Sequence, residues 1–187
     1  MQNTDATPDV TELYTSATHA SNLRVEADRN GPADLLIASG WSPSRLGSAL
    51  LRLHSEYDGV EHPKRGTEIY VHEFTMMLGK LKSLPDVRYQ LTMQAEKWQI
   101  ADAGNVAASV LMWWLDKVCS KCHGVRFEVI PGTPSLSGRL CKRCHGTGEA
   151  PLLHLSDARK LANHIEVCVQ SARQSIKKRL RPSANGA

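Results

Sequence analysis

Aromatic residues are scarce in this chain. They make up 5% of its 187 residues, with two Phe and four Trp. A core here must be built mainly on aliphatic side chains. Long apolar runs are also missing. The longest, Val106 to Leu115, is interrupted by Ser109, whereas a helix needs about 20 apolar residues to cross a bilayer. No membrane partner is expected. Residues Gln2, Asn3, Thr4 and Asp5 lack the apolar stretch of a secretory signal, which points to a reducing cytoplasm. Catalytic motifs are absent too. His72-Glu73 starts like a zinc-protease helix, but a methionine stands where the second His would be. Gly79-Lys80 has no glycine-rich phosphate loop around it. There is no nucleophile elbow and no pair of carboxylates on a shared helix face. Neither enzymatic activity nor a small-molecule substrate is expected.

What the chain does have is two cysteine pairs, Cys119-Ser-Lys-Cys122 and Cys141-Lys-Arg-Cys144, with 18 residues between them. Zn²⁺ takes four soft ligands tetrahedrally, and two such knuckles supply them from one short stretch. His-Gly follows each pair, and the second continues as Thr147-Gly148. The glycines let the backbone fold tightly behind each knuckle, so that amide N–H groups face the thiolates. One structural Zn²⁺ on Cys119, Cys122, Cys141 and Cys144 is the expectation; two separate redox motifs are the alternative. Such a site is closed, without room for water or substrate. His123 and His145 are expected outside the ligand set. Cys168, the fifth cysteine, reads as a structural thiol in a helix, with a reactive or dimer-bridging thiol as the other reading.

Charge divides the chain. Residues 119–187 hold 12 Lys+Arg and 4 Asp+Glu of the totals of 23 and 19, a net of +8 against −4 for residues 1–118. A basic end on an acidic body points to a polyanionic partner.

The chain reads as mainly α: a helical bundle body, an inserted two-knuckle, four-cysteine zinc finger with a small β-hairpin, and a basic C-terminal helix. Residues 1–30 are polar and read as a flexible arm with partial helix. The body covers 31–118. Pro32–Ser39 and Pro43–Tyr57 form two helices around Gly40-Trp41-Ser42, with Ser42 as N-cap and Pro43 at the first helical position. This has the form of a helix-turn-helix, with Ser44, Arg45, Ser48 and Arg52 facing outward; an ordinary helical hairpin has the same pattern. Thr67 would cap a core helix on which Tyr70, Phe74, Met77, Leu81 and Leu84 share one stripe. A helix to about Ala101 follows. Asn105 would cap Val106–Val118, apolar nearly all round and ending directly at Cys119.

The finger spans 119–150. Val125, Phe127 and Val129 alternate with Arg126 and Glu128, the strand pattern, and Pro131-Gly132-Thr133-Pro134 turns the chain. Residues 151–181 hold the last helix, starting at Ser156, with Leu161, Ile165, Cys168, Ala172, Ile176 and Leu180 as its apolar stripe. Five of the nine residues 173–181 are basic: Arg173, Lys177, Lys178, Arg179 and Arg181. A tail, 182–187, is expected to be disordered. Candidate nucleic-acid contacts are these five, Arg139, Lys142 and Arg143 in the finger, and Arg45 and Arg52 in the helix pair.

The knuckle Cys141-Lys-Arg-Cys144-His-Gly-Thr-Gly148 resembles the DnaJ-type zinc finger. The order of a polar arm, several helices, an apolar helix leading into a two-knuckle finger, and further helix is similar to the late-gene antiterminator Q of lambdoid phages, over about residues 38–168. Arg126 departs from the pattern, standing where the first knuckle would have its second glycine. The resemblance implies a four-cysteine finger, DNA binding near a promoter and loading onto RNA polymerase, in a bacterial host cytoplasm. The competing expectation is a protein-interaction module whose finger docks on a polymerase, a chaperone or another host protein through Phe127, Val129, Ile130 and Leu136.

Overall fold

A computed structural model describes residues 9–25, 30–64, 69–130, 132–133, 135–152 and 156–180. Among them are seven helices: α1 (Val10–Thr18), α2 (Pro32–Gly40), α3 (Arg45–Asp58), α4 (Tyr70–Leu78), α5 (Leu84–Lys97), α6 (Ala103–Leu115) and α7 (Asp157–Leu180). One small antiparallel sheet pairs β1 (Phe127–Val129) with β2 (Leu136–Leu140). The molecule is therefore mainly helical with a two-stranded insert. It forms two compact units. One takes in the described residues within 1–63, 71–90 and 163–187, the other those within 64–70 and 91–162. The boundaries fall inside α4, α5 and α7.

In the first unit, α1 lies against α2 and α3. Val10, Tyr14 and Ala17 follow a helical period and are buried. Part of the expected arm is thus body, held by a face that polar neighbours disguise. In α3, Leu50, Leu51 and Leu53 are almost fully buried. Its cap is Ser44, not Ser42: the Ser44 hydroxyl accepts the Gly47 N–H at 3.1 Å. Pro43 therefore precedes the cap. Ser42 instead accepts the Ser44 N–H at 3.3 Å, shaping the turn.

A close approach sets the position of α3. A Cβ on Gly47 would stand 2.1 Å from the Cys168 carbonyl oxygen of α7, and the Ser44 hydroxyl donates to the same oxygen at 3.3 Å. Ser48 donates to the Ser39 carbonyl at 3.0 Å. Ser44 and Ser48 thus turn inward, leaving Arg45 and Arg52 as the exposed cations of this helix. The stripe on α4 is weaker than its period suggests. Only Met77 of that helix is buried, with Leu81 just after it, while Val71 and Met76 face solvent. Thr67 lies outside the described residues.

The second unit contains α6 and the Cys-rich segment. α6 starts at Ala103 rather than after Asn105. Asp102 precedes it in the left-handed region, φ 54°, and its carboxylate accepts from the Asn105 amide at 2.8 and 3.0 Å. The helix ends at Leu115, short of Cys119, because the next residues are extended. Ala150 N–H donates to the Lys117 carbonyl at 2.7 Å, and Val118 pairs with Glu149. The Trp113 indole N–H donates to the Ala150 carbonyl at 2.8 Å, and Lys117 Nζ lies 4.9 Å from the Trp113 ring centroid. Both ends of the finger are thereby tied to α6. No described helix is long and apolar enough to cross a membrane.

Alanine usually stabilises a helix over glycine by about 1 kcal/mol. Gly47→Ala should do the reverse and cost about 2 kcal/mol, because its methyl has no room beside backbone. Urea denaturation measures this; a variant as stable as the wild type would contradict the α3–α7 approach.

Candidate metal centre and basic surfaces

The two knuckles repeat one another bond for bond. In the first, His123 N–H donates to the Cys119 carbonyl and Val125 N–H to that of Cys122, at 2.8 and 3.0 Å. In the second, His145 donates to Cys141 and Thr147 to Cys144 at the same distances. His123 and His145 take φ of 48° and 50°, and Gly124 and Gly146 take 86° and 84°. The knuckles also cross-link. Cys141 N–H donates to the Arg126 carbonyl at 2.8 Å, and Cys119 N–H to the Gly148 carbonyl at 2.9 Å.

Arg126 is the exception that the sequence flagged. It occupies the position equivalent to Gly148 and adopts the same left-handed backbone, φ 72° against 82°. A non-glycine residue there costs about 1–2 kcal/mol, which the surrounding knuckle outweighs. Gly148 is constrained further: a Cβ would meet the Gly124 carbonyl oxygen at 2.9 Å.

The result is a cluster of four buried sulfurs, all within 4.8 Å of one another. All are free thiols rather than disulfides. A tetrahedral ion with metal–sulfur bonds of about 2.3 Å needs sulfur–sulfur edges of about 3.8 Å. Cys122 and Cys144 Sγ are 3.6 Å apart. The arrangement can therefore hold one metal ion.

Its electrostatics favour thiolate at two of the four positions. Burial pushes the Cys144 thiol up, but the amides of Gly148 and Gly146 and the neighbouring thiols outweigh it and bring it to about 6. Gly148 N–H approaches Cys144 Sγ at 3.3 Å. Cys119 is also lowered, burial being overcome by the amides of Cys122 and Lys121. Cys122 carries the opposing shift, raised to about 11 by burial and by Cys144. An ion among the four sulfurs removes that competition by favouring thiolate at every position. His123 and His145 are exposed and outside the cluster.

Cys168 belongs to the first unit and has a different environment. Its Sγ lies 3.6 Å from His164 Nε2. Burial raises the thiol and lowers the imidazole, so both tend to the neutral form. This suits the reading of a structural thiol.

The candidate cations separate into two groups. In the finger, Arg139, Lys142 and Arg143 are exposed, whereas Lys121 Nζ lies 3.8 Å from a Glu128 carboxylate oxygen. In the first unit, Lys177, Lys178, Arg45 and Arg52 are exposed. Arg173 is half-buried and paired with Asp9 at 3.4 Å. Arg179 donates to the Trp41 carbonyl at 3.3 Å. Its guanidinium carbon lies 6.0 Å from the Trp41 ring centroid. The sequence offered one signal for this contact, a tryptophan in a polar turn. Arg181 lies outside the described residues, as do residues 1–8 and 26–29 of the expected arm and the tail 182–187.

Comparison with protein-family models, with curated proteins and with solved structures returns no match for this chain.

Two expectations test the centre. Arg126→Gly should stabilise the metal-loaded finger by about 1 kcal/mol, by relieving its left-handed strain, while Gly148→Ala should destabilise it. Thermal melts that rank them the other way would contradict the backbone geometry. Thiol titration should find at most the half-buried Cys168 reacting, and slowly, in the metal-loaded protein, with the four knuckle cysteines becoming reactive after a chelator is added. Five reactive thiols before chelation would rule out a filled centre.

Proposed function

We propose that the protein is a zinc-containing, DNA-binding regulator of transcription, acting with RNA polymerase as an antiterminator of the phage Q type. The observation that carries the DNA part is the set of exposed cations Lys177 and Lys178, which follow directly on the last buried residue of the α7 stripe, Ile176. No ion-pair partner approaches either among the described residues. Cations at a helix C-terminus gain from its dipole, yet they also remain free to neutralise phosphates. Arg139, Lys142 and Arg143 add a second exposed basic group on the finger.

Zinc is the proposed ion because four thiolates in a compact, closed set match its tetrahedral preference, and it brings no redox chemistry of its own. Its role is structural. Lewis-acid catalysis would need an open coordination position, and four sulfurs leave none. The antiterminator assignment rests on the resemblance of the finger, with residues 119–150 as its core.

Loss of two phosphate contacts should lower the slope of log affinity against log salt by about 1.8. Lys177→Ala combined with Lys178→Ala should therefore bind duplex DNA more weakly at low salt and with a shallower slope. Mobility shifts across a salt series measure this. A double variant matching the wild type in both respects would remove the DNA reading, and elemental analysis showing no zinc would remove the metal assignment.

A second reading has its own support. Val125, Ile130, Leu136 and Leu140 of the finger expose apolar side chains, a surface suited to docking on a protein. It predicts a polymerase pull-down that survives high salt and is lost in Ile130→Ser with Leu136→Ser.

A further inference from the structure

We infer that the corner formed by the α2–α3 turn and the end of α7 is a stacking platform for an unpaired base of single-stranded nucleic acid. The inference rests on the nucleic-acid reading above and specifies a form of ligand that it leaves open. Trp41 is 68% exposed, although its backbone is firmly held. Its N–H donates to the Ile37 carbonyl at 3.2 Å, and its carbonyl accepts from Arg179 at 3.3 Å. The indole is thus presented to solvent from a fixed point, with the Arg179 guanidinium 6.0 Å from its centroid.

The surroundings suit a phosphate chain. Arg45, Lys177, Lys178 and Arg179 are exposed. Neither residues 37–48 nor residues 167–180 contain an acidic side chain. Ile37, four residues before Trp41 on α2, is 54% exposed and extends the apolar surface along one helix face. Indole faces flanked by cations bind successive bases of single strands by stacking, whatever the sequence. In a duplex both faces of each base are already stacked, so the indole gains little from it.

The test uses the full chain and two fluorescent probes, an oligothymidylate of about 15 nucleotides and a duplex of equal length, enough to span one binding site. Trp41→Ala should weaken single-strand binding roughly 10-fold, the middle of the range for one stacked base, and leave duplex binding unchanged. Single-strand addition should also quench indole emission in the wild type, and Trp41→Phe, which keeps an aromatic ring, should lose that quenching. Equal single-strand affinity in wild type and Trp41→Ala overturns the inference, as does emission that does not respond to the probe. So does tighter capture of an acidic peptide than of the oligonucleotide. Wild-type binding to the duplex alone would overturn the platform and leave the DNA-regulator reading intact; binding to neither probe would end both.

Discussion

Four sulfurs brought within 4.8 Å of one another are the constraint on which the second unit's finger depends. About thirty residues cannot bury enough apolar surface to hold a fold without help. In this segment the fully enclosed cluster is the four cysteines themselves, so an ion held there would take the place of a hydrophobic core. Everything around it serves the sulfurs. The left-handed residues after each knuckle turn amides toward them, and the crossed bonds from Cys119 and Cys141 lock one knuckle to the other. Four thiolates around a divalent ion would leave a net charge of −2. Those amides and the finger's surplus of Lys and Arg offset it.

The first unit obeys a different constraint. It is held by ordinary burial, sharpened where the Gly47 backbone meets that of Cys168. That contact lies in the first turn of α3, where Ser44 also donates to the Cys168 carbonyl. The basic end has an equally simple origin. The apolar stripe of α7 is used up at Ile176, and the residues that follow have no core to serve. Lys177 and Lys178 there turn their charge to solvent, while Arg179 reaches Trp41.

Much of this was legible in the sequence because the signals were local. Knuckle spacing, the alternating strand around Phe127 and the start of α7 each depend on a few neighbouring residues. The misjudged features depend on competition or on distance. Ser42 reads as the cap and Ser44 as outward-facing, whereas Ser44 caps α3 and also bonds the distant Cys168 carbonyl of α7. Asn105 resembled a cap but instead binds the carboxylate of Asp102, which holds a left-handed backbone that composition does not announce. α1 was hidden by threonines and serines around a buried Val10, Tyr14 and Ala17. Arg173, which reads as a phosphate contact, also has an ion pair with Asp9 that its own neighbours in sequence do not announce. Arg126 is the reverse case: a residue that breaks the glycine pattern while its backbone keeps it.

X-ray absorption at the metal edge of the purified, loaded protein tests the central claim most directly. A closed centre built by both knuckles predicts four sulfur neighbours at about 2.3 Å and no imidazole scattering. Three sulfurs with a histidine, or with a light oxygen neighbour, would contradict it. Such a result would place His123 or His145 in the shell, or open the site to solvent and to chemistry.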